Sequence, residues 1–255
     1  MNELLLLIAG LVGGALNTLA GGGSFIVFPA LLAVGVPPVL ANASNTYAAL
    51  PGYASGAFGL RKQMASLGHL LLPYSIVGAL FGYAGAELLL RVSDAQFSIV
   101  VPWLILFAVL LFIFGARINA FVAARAGSSP RARLAGQVAL YAMLAIIAIY
   151  GGFFNAGLGV LLLAFLVLAG VTSIHAANGL KLYISMIIAL VAVVRFAIAG
   201  SIDWYHGSIA LVGVTTGAYV AARLATRIPT GVIRAIVIIY GVGLTVYFFW
   251  KTYWA

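Results

Sequence analysis

Apolar residues run along this chain in long blocks, interrupted by short clusters of charge, proline and glycine. The blocks fall at residues 4–34, 39–60, 67–90, 96–116, 134–169, 174–199, 206–223 and 230–250. A straight helix crossing a bilayer needs roughly 20 apolar residues, so the pattern predicts an all-α integral membrane protein of about eight transmembrane segments. The first and fifth blocks are on the order of 50 Å long as helix, too long for one perpendicular span. Each is expected to be broken or re-entrant, at Gly21-Gly22-Gly23 in the first and at Gly157 and Gly159 in the fifth. A glycine weakens a helix by about 1 kcal/mol relative to alanine. The second block is expected to be irregular as well. It carries Ala41-Asn42-Ala43-Ser44-Asn45-Thr46 and then Pro51-Gly52, and unwound backbone at that depth must be buried in protein or line a wet cavity.

The blocks also repeat. Gly13-Gly14-Ala15-Leu16-Asn17 returns as Gly151-Gly152-Phe153-Phe154-Asn155, an offset of 151 − 13 = 138 residues. Each copy runs into an apolar stretch ending in Gly-Val, Gly35-Val36 and then Gly170-Val171, and Gly78-x3-Gly82 meets Gly213-x3-Gly217 at an offset of 135. The expected organisation is a first transmembrane repeat over residues 1–116, a basic linker over 117–133 and a second repeat over 134–255, with four segments in each repeat. Two related bundles that rock about a site at their interface are the architecture of a membrane transporter.

Composition and charge narrow the picture. Of 255 residues, 65% are hydrophobic and 7% charged, with mean hydropathy +1.20, whereas a soluble domain is closer to a quarter charged. The lack of cysteine excludes disulfides and thiolate chemistry, and three histidines and four acids leave little for a metal site. Neither a metal nor a cofactor is expected. The start, Met1-Asn2-Glu3, lacks the basic flank of a secretory signal, so the chain reads as mature protein. H-E-x-x-H and G-x-S-x-G are both missing and no acid pair lies deep in an apolar block, which disfavours an intramembrane enzyme. If all eight blocks cross, one side carries Arg61, Lys62, Arg117, Arg125, Arg131, Arg133 and Lys251, and the other Arg91, Arg223, Arg227 and Arg234. The positive-inside rule then puts both termini in the cytoplasm, with Arg195 snorkelling to the same side. The +9 balance reads as attraction to anionic lipid rather than to nucleic acid.

Polar residues inside the repeats are the candidate site. Asn17, Thr18, Gly21, Gly22, Gly23 and Ser24 form the first group. A half-helix beginning near Ser24 would point free N–H groups and its dipole at an anion, though close helix packing accounts for the same glycines. The motif recurs as Asn155, Gly157 and Gly159. The second group is Asn42, Ser44 and Asn45, matched by Asn178 and Lys181, where the 136-residue offset sets an amide against an ammonium across the pseudo-symmetry axis. A lysine deep in a membrane segment with no acid nearby in sequence is a functional-site candidate; the alternative is that it snorkels to the interface. His175 is a candidate proton relay, while His69 and His206 read as interfacial. Glu87 and Arg91 are spaced for an i,i+4 ion pair. Gly10/Gly14, Gly52/Gly56, Gly78/Gly82 and Gly213/Gly217 are spaced for helix packing, and Trp103, Trp204, Trp250 and Trp254 for an interfacial belt.

The string Asn17-Thr18-Leu19-Ala20-Gly21-Gly22-Gly23-Ser24, then Pro29-Ala30-Leu31-Leu32 and Ala43-Ser44-Asn45, resembles the first-half signature of the TauE/SafE sulfite exporter family. Gly151-Gly152-Phe153-Phe154 and the Lys181 stretch extend the resemblance to nearly the whole chain. It implies a multi-pass inner-membrane protein that moves sulfite, sulfoacetate or other organosulfonates, usually outward. The first-half position that is often acidic in the family is Asn17 here, which removes a possible proton or cation site. The residues point the same way: neutral donors and one cation, with no deep carboxylate, make an anion's solvation shell. An inside-negative potential drives anions outward by about 2.3 kcal/mol per charge per 100 mV, so electrogenic or weakly coupled export is the expected mechanism. Uptake of a sulfonate or small carboxylate is the rival, a non-transporting membrane subunit the remote one. The expected partners are the bilayer and a small anion, with a homo-oligomer left open.

Overall fold

The computed structural model describes residues 1–123, 130–224 and 230–254 and contains no strand among them. The first block forms α1 (Asn2–Ala20) and α2 (Ser24–Ala33), and the second forms α3 (Pro38–Gly59). A short α4 (Arg61–Met64) and one 3-10 turn lead into α5 (Gly68–Leu90), followed by α6 (Asp94–Ala123). The second half comprises α7 (Pro130–Phe153), α8 (Leu158–Leu168), α9 (Ile174–Ile198), α10 (Trp204–Leu224) and α11 (Thr230–Tyr253). Of the stretch expected to be a linker, residues 117–123 and 130–133 are helical, while Arg125, like Arg227, lies outside the described residues. α9 and the stretches Arg61–Leu90 and Gly136–Phe153 are each long and apolar enough to cross a membrane.

Both long blocks break, and both turn back. α1 ends on Gly21, whose φ of 79° is a left-handed conformation that glycine adopts without a β-carbon clash. The Gly21 N–H bonds the carbonyls of Asn17 and Leu16, closing the end of the helix. A β-carbon on Gly13 would lie 2.7 Å from the Val27 side chain, and one on Gly23 would meet Gly13 and Asn17, so α2 returns along α1. In the second half Tyr141 of α7 and Phe165 of α8 both pack edge-on to Tyr74, at 6.1 and 5.5 Å. α8 therefore returns along α7.

Contacts at the helix ends define two faces. On one, Tyr205 bonds Glu3 (3.4 Å), Asp94 accepts from Val39 N–H (2.8 Å), Ser44 accepts from Asp203 N–H (2.9 Å), and Thr252 bonds the Ser98 carbonyl (3.4 Å). This is the terminal face, since it carries both ends of the chain. Glu87 joins it with Arg91 at 3.2 Å, the expected i,i+4 pair, and with Arg195 at 2.7 Å. Arg195, expected to snorkel to the interface, is held there by a carboxylate of the first half. The four tryptophans are exposed, and Trp103 reaches Tyr253 on the last helix. The opposite face carries α4, the first turns of α9, the ends of α6 and α10 and the starts of α7 and α11; Met64 and Leu60 lie against Gly179 there. The α1–α2 hairpin enters from the terminal face and the α7–α8 hairpin from the opposite one, so the halves run in inverted senses.

The helices pair crosswise between the halves. α1 packs on α10 and α7 on α5, while α3 packs on α9 at the centre and α6 on α11. Under the sequence offsets, α1 matches α7 and α5 matches α10, so each half lends its first helix to the other. Gly10 and Gly14 face Ala210 and Val214, and Gly213 and Gly217 face Leu7 and Leu11, with no room for a β-carbon. Gly82, Gly85 and Gly152 make the matching α5–α7 crossing. One expectation fails: α3 is a continuous helix through Asn42–Thr46 and Pro51. Packed between α9 and α10, its backbone is satisfied most cheaply as helix, and the Thr46 hydroxyl bonds within it to the Asn42 carbonyl at 3.0 Å.

Candidate functional site

The two hairpin tips meet in the middle of the bundle. A β-carbon on Gly159 would lie 3.1 Å from Gly21 Cα, and one on Gly21 would lie 3.3 Å from Gly159 Cα. These two glycines are 138 residues apart, the offset at which the Gly-Gly-x-x-Asn motif recurs in the sequence. α8 starts from Gly157, with φ 83°, pressed against Ala108 and the Phe25 ring. The N–H groups of Gly22, Gly23, Gly157 and Gly159 make no backbone hydrogen bond among the described residues. Two half-helices thus present unpaired donors and positive dipole ends to the same centre.

Side chains from α3 and α9 converge there. Lys181 is 2% exposed, and its stem lies beside Gly159. It has no ion pair and no hydrogen bond among the described residues. Asn45 is 1% exposed and neither end of its amide has a partner. Asn42 donates to the Phe153 carbonyl at 2.8 Å and leaves its own carbonyl unpaired. Asn155 accepts from the Tyr53 hydroxyl at 3.1 Å and leaves its NH2 unpaired. The Ser185 hydroxyl, one turn beyond Lys181, is also buried and unpaired. Buried polar groups are bonded in the great majority of cases, and leaving one unmade costs about 1–3 kcal/mol. Among the described residues, α3, α9 and the segment just before α8 carry such unpaired groups.

Of the residues expected at the site, Asn17, Gly23, Ser24 and Asn45 line a single cavity of about 10 Å³ between α1, α2 and α3. That is room for about one water. Gly21 and Gly159 meet at the hairpin tips with the Lys181 stem beside Gly159, and Asn42 and Asn155 are tied to Phe153 and Tyr53. Other expected residues lie apart. Thr18 commits its hydroxyl to the Gly14 carbonyl at 3.0 Å, and Ser44 turns to Asp203 on the terminal face. Asn178 is partly buried and His175 exposed in the first turns of α9. Tyr53 and Ser185 were missed, although Tyr53 follows Asn45 by two helical turns and Ser185 follows Lys181 by one. No group of three or more His, Asp or Glu side chains suited to a metal is found among the described residues.

Residues 6–248 match the profile of a family described as sulfite exporter TauE/SafE. A "probable membrane transporter protein" of Haemophilus influenzae is 28% identical, over 94% of this chain and 92% of that one. A protein of a Sinorhizobium species named "probable membrane transporter protein ORF9" is 27% identical over 94% and 90% of the two chains. The "probable membrane transporter protein YfcA" of Escherichia coli K12 is 27% identical over 92% and 84%. No solved structure matches the chain.

Proposed function

This chain belongs to the TauE/SafE sulfite exporter family, a family of membrane transporters, and from that premise we propose that it exports small sulfur-containing anions such as sulfite or organosulfonates. The observation that carries the reading is Lys181, buried without a partner beside the meeting hairpin tips. An isolated ammonium is costly in such a place, and a bound anion relieves that cost. The orphaned NH2 groups of Asn45 and Asn155 and the Ser185 hydroxyl, with the free hairpin N–H groups, supply hydrogen bonds to oxyanion oxygens. No acid stands near the centre to carry a coupled cation, so transport is electrogenic or weakly coupled to protons. Inverted halves with crossed helices give the symmetry on which alternating access rests. The chain works by transport rather than by catalysis.

Orientation follows from the hairpins. The assignment of cytoplasmic termini required both long blocks to cross. With both re-entrant, helix ends on the opposite face carry Arg61, Lys62, Arg117, Arg131, Arg133, Arg223 and Arg234, against Arg91, Arg195 and Lys251 on the terminal face. That imbalance of seven to three supports a cytoplasmic opposite face and termini outside, in an inner-type membrane. An Asn2→Cys thiol in intact cells should react with an impermeant maleimide and a Lys62→Cys thiol should not; the reverse pattern would restore cytoplasmic termini.

The functional reading is tested on purified protein by melting temperature with sulfite, sulfoacetate, taurine, lactate and sulfate. A sulfite or sulfonate should stabilise wild type and leave Lys181→Ala unmoved. A response to lactate alone would move the reading to a carboxylate permease, and no response to any anion would remove it.

A further inference from the structure

A second, much larger cavity opens on the terminal face, between the end of α2, the starts of α3 and α6 and the end of α11. Its volume is about 360 Å³, within the range of small-molecule sites. Phe28, Leu32, Ile99 and Phe248 form apolar walls, and Lys251 stands at the rim. Ile99 and Lys251 are exposed, so the rim is open. The inner end is closed by aromatic rings: Phe28, 1% exposed, meets Phe154 edge-on at 5.7 Å and Phe97 at 6.2 Å, and stacks on Phe248 at 6.2 Å. Phe154 directly precedes Asn155 of the central site.

The geometry of α2 joins the two cavities. Ser24, Phe28 and Leu32 are spaced by four residues and lie on one helix face. Ser24 lines the small central cavity, Leu32 the outer one, and Phe28 stands between them. We propose that the outer cavity is the vestibule of the transport path on the terminal face, and that the Phe28 ring is its gate. The vestibule suits an organic anion with a small apolar body. Lys251 draws in the charge, the walls receive the apolar part, and displacement of Phe28 opens the one turn of α2 that separates it from Ser24 and the hairpin N–H groups. The inference rests on the anion-transport reading for its ligand but not for its path.

The natural lack of cysteine makes the path measurable. Single thiols are introduced as Ser24→Cys at the site and Ile99→Cys at the rim, in proteoliposomes. Each is reacted from the terminal face with an anionic methanethiosulfonate that itself carries a sulfonate and with a cationic analogue carrying a quaternary ammonium. Ile99→Cys should react fast, Ser24→Cys slowly, and Phe28→Ala should speed Ser24→Cys at least tenfold. Phe28→Leu, which keeps an apolar filler, should give a smaller acceleration and guards against misfolding; Ser24→Cys with Leu32→Trp, which fills the vestibule, should slow again. Lys251→Glu should slow the anionic reagent only. If Ser24→Cys already reacts as fast as Ile99→Cys, or if neither Phe28 variant changes its rate in folded protein, the gate is overturned. If Phe28→Ala speeds both reagents equally and Lys251→Glu changes nothing, the path stands and its anion selectivity falls.

Discussion

Replacing Lys181 by methionine should make the protein more stable and useless as an anion binder. Methionine keeps the unbranched length of the lysine stem and removes the charge. On insertion scales a lysine at a helix centre costs about 2.5–3.5 kcal/mol, and here the lysine is 2% exposed with no partner among the described residues to offset its charge. Most of that cost should return as stability, about 2–3 kcal/mol for Lys181→Met, or roughly 4–12 °C in melting temperature for a chain of this size. Wild type with a sulfonate at a hundred times its Kd should gain about 2.7 kcal/mol by mass action, while the variant with the same anion gains nothing. The assay is a melting curve of both proteins in one detergent, with and without anion. A lower melting temperature for ligand-free Lys181→Met would mean that the lysine has a structural partner. A retained anion shift would mean that the anion binds elsewhere. Either result refutes the argument.

Three other outcomes follow from particular contacts. Gly217→Ala places a methyl group against the Leu11 carbonyl in the α1–α10 crossing and should lower the melting temperature sharply, whereas Gly243→Ala, with nothing within 4 Å, should leave it unchanged or raise it slightly; equal effects would refute the packing role of the crossing. Tyr53→Phe removes the bond to Asn155 and frees its amide to turn, so anion affinity measured by titration should change about two- to tenfold at little cost to the fold; unaltered affinity would separate Tyr53 from the site. Asp203 lies outside the helices: burial pushes its carboxyl up, but bonds from the His206 ring and backbone outweigh this and hold it below the ordinary carboxylate value. A lowered folded value gives stability that is complete above the unfolded value of about 4 and is lost as pH falls through the folded one. The melting difference between wild type and Asp203→Asn should therefore be constant from neutral pH to about 5 and shrink below about 4; a difference that grows on acidification would reverse the sign of this reasoning.

The residues by themselves determined the class, the segment positions and the two breaks, because transfer of apolar blocks into lipid and the loss of helix at clustered glycines are local properties of the chain. They also matched Gly157 and Gly159 to the Gly21-Gly22-Gly23 break and set Asn45 against Lys181 as expectations, because internal repetition is a one-dimensional pattern. Tertiary structure decided what those pairs mean. Whether a thirty-residue block crosses or turns back depends on whether Gly13 and Gly23 are close enough to pack, which no window of hydropathy measures, and that choice inverted the second half and reversed the count of positive charges by face. Continuity of α3 through its asparagines and Pro51 was decided by burial between α9 and α10, where an unwound backbone would have found no water. The expected site divided for the same reason. Thr18, Ser44 and Asn178 have the same chemistry as Asn17, Asn45 and Lys181's neighbours, but the turn of a helix by one or two residues sends their side chains to a backbone carbonyl, to the terminal face or to the surface. A residue's type sets what it can bond; only the packed bundle settles which of those bonds are left unmade.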